Sequence, residues 1–571
     1  MVLKGIGVSS GIGIGRIKLY EKNELTIPDY KIADPDTEIE RFQEARQSAI
    51  EDINTLYEKM INEHANEAAE VFNAHREILE DEDGFIEPVC LRIREEMDNA
   101  AFAVTFVLNG IADMFRSMDN AYMRERAADA VDLRDSVNAK ILGVKRKGIT
   151  SQNGKCIVAA YDLAPSDTAG MDLSIVEGLL TETGGATSHT AIMSRTMEIP
   201  AVVGTQKLLE YVHDGDMVII NGATGEIVIE PNRAQLEHYT SLQQQFNEQT
   251  RELRKYIGMP SVTRDGRQVR LEANVGTEQD ARLAAAHDAE GVGLVRTEFL
   301  YMKRQELPSE QEQFEAYRAI LESMGNRPVI FRTLDAGGDK ELPALGLTKE
   351  ENPFLGFRAI RICLQNPALF KAQLRAILRA SVYGECKIMF PMISSLNEVH
   401  KAKDIVEEVR MELTNEGIPF KMNVPLGIMV EIPAVAVMAE SFASEVDFFS
   451  IGTNDLVQYT LAADRGNPKL ADISTVYHPA VLNLIAATIR AAARKNIPCG
   501  MCGEAASDMK LVPFLLGLGL NEFSMSASAI LRVRKLISGL SYDSCSKMAD
   551  EVLTLKTDEE IKQVLNELKL E

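Results

Sequence analysis

From residue 261 to the end, strand-like and helical stretches alternate eight times, and no other feature restricts the fold of this 571-residue chain as tightly. The strand-like runs are LEANVG (271–276), GVGLVRTE (291–298), PVIFRTLD (328–335), KIMFPMIS (387–394), PLGIMVEIP (425–433), DFFSIGTND (447–455), IPCGMCGE (497–504) and NEFSMS (521–526). Several are nearly continuous apolar runs, as expected of parallel strands buried on both faces. Strands alternating with helices call for a parallel sheet, and eight such units over 261–571 predict a closed (β/α)8 TIM barrel.

Barrel enzymes place their chemistry at the C-terminal ends of the strands. There the chain carries Arg296 and Glu298, Arg332 and Asp335, Glu431, Asn454 and Asp455, and Cys502 and Glu504. Arg358 follows the third run, and Arg465 lies ten residues beyond Asp455. A single charge at a strand end is usually solvated or ion-paired. A rim of arginines and acids together is a different matter, because arginine forks grip phosphate and carboxylate bidentately. Glu431 and Asp455 are hard oxygen ligands, too few for a calcium cage but enough for Mg²⁺ shared with a phosphorylated substrate. Cys502 is either a buried structural thiol or, at the rim, an acid or nucleophile.

The first 230 residues are patterned differently. Residues 1–20 and 147–230 read as one small α/β domain, interrupted by an acidic helical bundle over 21–146, with apolar residues three and four apart. A mostly polar helix within 231–260 links this half to the barrel. The glycines of GIGVSSGIGIG follow no strand and open no helix, so they do not make a dinucleotide fingerprint. More informative is Gly184–Arg195, GGATSHTAIMSR, a loop turning into a helix with His189 in its first turn. Free N–H groups at a helix start favour phosphate and disfavour a protonated imidazole, conditions that suit a phosphoryl-accepting histidine. A capping or surface histidine is the competing reading.

A net charge of −24 argues against nucleic-acid binding and suits a basic protein partner. No apolar run approaches the length of a membrane span, and the N-terminus lacks a signal-peptide core, so a cytoplasmic protein without membrane insertion is expected. Seven scattered cysteines make no disulfide framework, and the lone C-x-x-C at Cys499 and Cys502 has no second pair to complete a zinc site.

GGATSHTAIMSR, DFFSIGTNDLVQYTLAADR and GMCGE, with RERAAD at 124–129 and DLAPSDT at 162–168, resemble the Enzyme I family of the bacterial sugar phosphotransferase system, the phosphoenolpyruvate–protein phosphotransferases. The resemblance covers essentially the whole chain. It implies that His189 takes the phosphoryl group of phosphoenolpyruvate and passes it to a histidine of the small carrier HPr. It also implies that Arg296, Arg332, Arg465 and Asn454, with Arg358, hold the substrate, and that Glu431 and Asp455 hold Mg²⁺. Cys502 would protonate the departing enolate to give pyruvate. Asp129 and Thr168 would set the tautomer of His189, and the acidic helical insert would dock HPr; reversing the charge of insert acids such as Glu67 or Glu70 is then expected to weaken carrier binding in a salt-dependent way. The family works as a homodimer through its barrels, and His189 would have to move between barrel mouth and carrier. Pyruvate phosphate dikinase and phosphoenolpyruvate synthase share the histidine domain and barrel, but they need an additional ATP-grasp domain for which the chain before Gly184 has no room. A non-catalytic scaffolding relative is the rival from another class; the intact His189, arginines, acids and Cys502 speak against it.

Overall fold

The computed structural model describes every residue except 21–24, 63–65, 118–120, 145–154, 165–166, 169–170, 172–174, 186–187, 198, 303–305, 338–342, 346–349, 466, 471 and 568–571. The side chains at 59–62, 66–71, 121–126, 189, 192, 196, 343 and 468 are likewise outside the description. The chain forms two compact units, Met1–Thr250 and Arg251–Glu571.

The first unit is built on an eight-stranded sheet. Its strands are β1 (Val2–Lys4), β2 (Ile6–Ser9), β3 (Ile12–Tyr20), β4 (Cys156–Ala160), β5 (Val176–Thr181), β6 (Ala201–Val203), β7 (Met217–Asn221) and β8 (Glu226–Ile229), in spatial order β1-β8-β7-β3-β4-β5-β6-β2. β3, β4, β5 and β6 run parallel, and antiparallel partners flank them. Period-two alternation sorts the side chains into two cores. Cys156, Val158 and Ala160 face one with Leu179 and Ala191, whereas Ile157 and Ala159 face the other with Leu180 and Ile220. The hairpin between β7 and β8 turns where the Asn221 side chain accepts from the amides of Ala223 and Thr224, both at 3.1 Å, and Gly225 takes a φ of +76°.

Among the described residues, five α-helices lie between β3 and β4: α1 (Pro35–Asn62), α2 (Asn66–Glu80), α3 (Glu87–Glu95), α4 (Ala100–Ser117) and α5 (Ala121–Ile141), with a π-helical turn, Glu82–Ile86, between α2 and α3. Phe42, Phe72, Phe85, Val104, Leu108 and Val137 fill their shared core. Met193, from the helix that begins at His189, enters the same core, so the helix carrying the histidine is wedged between bundle and sheet. The long helix Arg233–Arg254 buries no residue. Tyr239 donates to Glu226 at 2.9 Å and Gln243 to the Ile12 carbonyl at 2.7 Å, which fastens its first half to the sheet; the division into two units falls near its end.

In the second unit, β9 (Arg270–Val275), β10 (Val292–Arg296), β11 (Pro328–Arg332), β12 (Glu385–Phe390), β13 (Leu426–Val430), β14 (Phe448–Ile451), β15 (Cys499–Met501) and β16 (Glu522–Met525) pair in sequence, all parallel, and β16 closes on β9. These are the eight runs of the sequence. Residues of one parity face outward into a large core with the surrounding helices, among them Val295, Phe331, Phe390, Val430 and Ile451. Residues of the other parity fill the interior, where Leu294, Ile330, Met389, Met429, Phe448 and Cys502 form one cluster. Continuing that parity up each strand puts Arg296, Arg332 and Glu431 above the apolar layer. No helix among the described residues is long and apolar enough to cross a membrane.

Candidate active site

At the C-terminal rim of the barrel, the charged residues form a braced network. Arg332 is buried, with Nη2 at 2.6 Å from Glu298 and Nη1 at 3.0 Å from Asp335. Asp335 also accepts from Arg358 Nη2 at 2.9 Å. The other end of Arg358 reaches Asp455 at 3.4 Å and the Tyr459 hydroxyl at 3.1 Å. Arg465, more exposed, lies 3.7 Å from the second oxygen of Asp455. Burial works against the charge of Arg332 and Arg358, but the surrounding carboxylates more than compensate, and both guanidinium groups are held firmly protonated. Two donors, Nε of Arg332 and Nε of Arg358, are buried without a hydrogen-bond partner among the described residues. Such orphaned donors are costly unless an acceptor arrives, so the rim is prepared for an anion.

Five of the expected residues thus stand together: Arg332, Arg358, Asp455 and Arg465 in one chain of ion pairs, and Glu431 beside them. Glu431 accepts from the Met392 amide at 2.6 Å, and burial, with Asp455 and Asp335 adding to it, pushes its carboxyl well above the usual range. Two acids forced together in a dry site are what a divalent cation relieves. Among the described residues no group of three or more His, Cys, Asp or Glu could hold a metal by itself. The pair therefore fits an ion such as Mg²⁺ that takes its remaining oxygens from substrate and water, and not a protein-only cage.

Arg296 ends β10, exposed at the rim. Asn454 is held against Glu504 by reciprocal contacts of 3.4 Å. Cys502 is buried, its thiol 3.9 Å from the Ile451 carbonyl. Burial raises its pKa, while Ser450, Arg332 and Arg296 pull in the opposite direction. The thiol therefore stays protonated near neutrality, the form a proton donor needs and a nucleophile does not.

In the first unit, the helix His189–Thr196 starts at the histidine. Ser188 caps it, its hydroxyl accepting from the Ala191 amide at 3.3 Å. Gly184 has a φ of +100°, and a Cβ there would press on the Ser188 hydroxyl, so the approach to the cap requires glycine. The side chain of His189 lies outside the described residues, as do those of Glu67 and Glu70. Thr168 and Asp129 are both buried. Thr168 donates to the Ala164 carbonyl at 3.3 Å, and Asp129 approaches His75 Nε2 at 3.3 Å.

Sequence reasoning passed over His75, Tyr459 and Asn274. Tyr459 carries a legible signal, lying four residues after Asp455 on one helix and hence on the same face. Asn274 ends the inward parity of β9, donates to the Cys502 carbonyl at 3.0 Å and so fixes the backbone behind the thiol. His75 gave no signal; only the packing of α2 against α5 brings it to Asp129.

Three family models match in succession: "PEP-utilising enzyme, N-terminal" over 4–126, "PEP-utilising enzyme, mobile domain" over 152–225 and "PEP-utilising enzyme, PEP-binding domain" over 250–542. The last contains the whole braced rim. The chain is 45% identical to a phosphoenolpyruvate-protein phosphotransferase of Bacillus subtilis over 98% of both chains. It is 44% identical to that of Staphylococcus carnosus over 99% of this chain and 98% of the relative. It is 45% identical to that of Listeria innocua over 99% and 98%. Likeness at this level, from the capped histidine helix through to the closing strand of the barrel, places the chain in the phosphoenolpyruvate-protein phosphotransferase family.

Proposed function

We propose that the protein moves the phosphoryl group of phosphoenolpyruvate to His189 and from there to a histidine of a small carrier protein, HPr, releasing pyruvate. The observation that carries this reading is the rim itself, where buried arginines with unsatisfied donors and two crowded carboxylates stand above a protonated thiol. Phosphoryl transfer asks for positioning and charge neutralisation more than for covalent chemistry, and these groups supply both.

Arg296, Arg332 and Arg465, with Asn454 and Arg358, orient the phosphate and carboxylate of the substrate. Glu431 and Asp455 would hold Mg²⁺, which when bound offsets charge on the phosphate oxygens. A neutral ring nitrogen of His189 attacks phosphorus in line; the N–P bond forms as the P–O bond to the enol carbon breaks. The enolate then takes the Cys502 proton at its methylene carbon, giving pyruvate, and the thiolate regains a proton from solvent. Asp129 and Thr168 serve as positioning residues for the histidine. Residues 1–20 and 147–230 form the phosphohistidine domain, 21–146 the acidic docking insert, 231–260 the linker and 261–571 the barrel, through which two copies pair. The protein works in the cytoplasm.

Incubation with phosphoenolpyruvate labelled with ³²P in the phosphoryl group tests this. Label is expected on the chain without ATP and absent from His189→Ala. Label only with ATP would favour a dikinase; no label under any condition would favour a scaffold.

A further inference from the structure

The barrel has a second charged layer at the opposite, N-terminal end of its strands. Arg270 and Glu272 on β9, Lys387 on β12 and Glu522 on β16 share the inward parity, below the apolar layer of Leu294, Met389 and Phe448. Arg270 pairs with Glu522 and lies 3.5 Å from Glu272, whose Oε1 accepts no hydrogen bond among the described residues. Lys387 is held less closely. Its ammonium is 3.8 Å from Glu522, an acid already held by Arg270, and no hydrogen bond reaches it among the described residues. Its side chain is only 17% exposed, and burial lowers its pKa.

Beside Lys387 opens a cleft of about 430 Å³, within the range of small-ligand pockets, which run from about 300 to 1,000 Å³. It lies at the foot of β12, β13 and β14, the end of the barrel away from the catalytic rim. Its walls combine two kinds of surface. Met422, Val424, Leu426 and Phe448 supply apolar area. Lys387, Lys403 and Arg410 supply three cations against the acids Glu407 and Asp447. Those acids are partly committed: Asp447 accepts from the Leu426 amide at 2.7 Å, and Glu407 from Arg410 at 2.5 Å. Lys403 spends one proton on the Glu445 carbonyl at 2.9 Å. Arg410 Nε is buried with no acceptor among the described residues.

We propose that this cleft is a second small-molecule site, one that takes a carboxylic acid with an apolar body. The carboxylate meets the Lys387 ammonium, with Lys403 and Arg410 adding positive charge to the wall, and the body lies on Phe448 and its apolar neighbours. One negative charge balances the excess cation of the walls. A purely apolar ligand would leave Lys387 with only the distant Glu522 carboxylate and the face of the Phe448 ring, 5.3 Å away, and a bare dianion would waste the apolar wall. Phe448 belongs both to the cleft and to the interior cluster containing Cys502, so an occupant would touch the packing beneath the catalytic rim.

The full-length protein with ¹³C-methyl methionine provides the test, because exposed Met422 stands at the cleft and its resonance is identified by Met422→Leu. Hexanoate, 1-hexanol and inorganic phosphate are titrated separately. Hexanoate is expected to shift the Met422 signal saturably, at least tenfold more tightly than hexanol or phosphate. Lys387→Gln is expected to weaken hexanoate at least tenfold while leaving the KM for phosphoenolpyruvate unchanged. No saturable shift with hexanoate, equal binding of hexanol, tighter binding of phosphate, or unchanged affinity in a folded Lys387→Gln protein would each overturn the proposal. If that variant does not fold, the three titrations on the wild type still decide it.

Discussion

His189 stands in one contiguous segment, Gly184–Arg195, where loop glycines, cap and helix start are all local. The barrel rim instead collects Arg296, Arg332, Arg358, Glu431, Asp455 and Cys502 from five strand ends and the loop after β11, and braces Arg332, Arg358 and Asp455 by ion pairs between residues up to 97 positions apart. The first arrangement presents a nucleophile at the start of a short helix that Ser188 caps and Ala191 and Met193 anchor. The second fixes charges in a dry setting, where each depends on its neighbours. A phosphoryl shuttle needs both, a carried group that is simple to present and a donor site that does not rearrange when substrate binds.

That contrast breaks most readily at Arg332. Arg332→Ala should lower kcat/KM for phosphoenolpyruvate by about 10³-fold or more, the scale of a phosphate-clamping arginine. Return of phosphate from phosphorylated carrier to His189 should stay near the wild-type rate, because it bypasses the rim. Equal losses in both directions, read by ³²P quench flow, would mean the two sites are not separable. Cys502→Ala should slow pyruvate formation by about 10²- to 10³-fold, the yield of a positioned general acid, with carrier-side transfer again spared. Normal forward rates would remove the thiol from the mechanism.

Arg358 sharpens the contrast through stability. It is 1% exposed and holds Asp335 and Asp455 apart from each other's charge. Arg358→Ala should cost about 3–5 kcal/mol in denaturant unfolding of the full chain, since it takes a buried cation from between two carboxylates and leaves Asp335 with Arg332 and Asp455 with Arg465 alone. Arg358→Lys should recover part of that. Ser188→Ala at the other site should cost only about 1 kcal/mol, the value of one helix cap, and change transfer rates a few-fold. A loss as large as that of Arg358→Ala would show that the histidine helix is braced as deeply as the rim.

The smallest effect concerns protons. The carboxyl of Glu431 is raised, so below its pKa it carries a proton that a metal must displace. Mg²⁺ affinity should therefore climb as pH rises through that value and level off above it, and binding near neutrality should release protons. Titration calorimetry in buffers of different ionisation enthalpy reads this directly; heats independent of buffer would place the ion elsewhere.

Both the barrel and the histidine helix were legible in the sequence because each follows local periodicity. The eight apolar runs separated by helices leave a closed parallel sheet as the simple solution, and Ser188 followed by an apolar run marks a helix start. Strand-end position also brought out Arg332, Glu431 and Asp455. The bracing was not legible. Nothing in GFRAIR tells that Arg358 is buried between two acids, because the contact depends on where the loop after β11 returns. Likewise His75 meets Asp129 only through helix packing, which the spacing of apolar residues sets too coarsely to align two side chains.

The central claim is that the rim splits phosphoenolpyruvate while His189 carries what is released. A rapid-quench experiment with excess phosphoenolpyruvate, Mg²⁺ and no carrier tests it most directly, counting pyruvate formed and acid-labile phosphate bound to the chain in the same samples. One phosphoryl group should appear on His189 for each pyruvate in a single burst, after which both should stop. Pyruvate that continues to accumulate without a matching phosphohistidine would contradict the account.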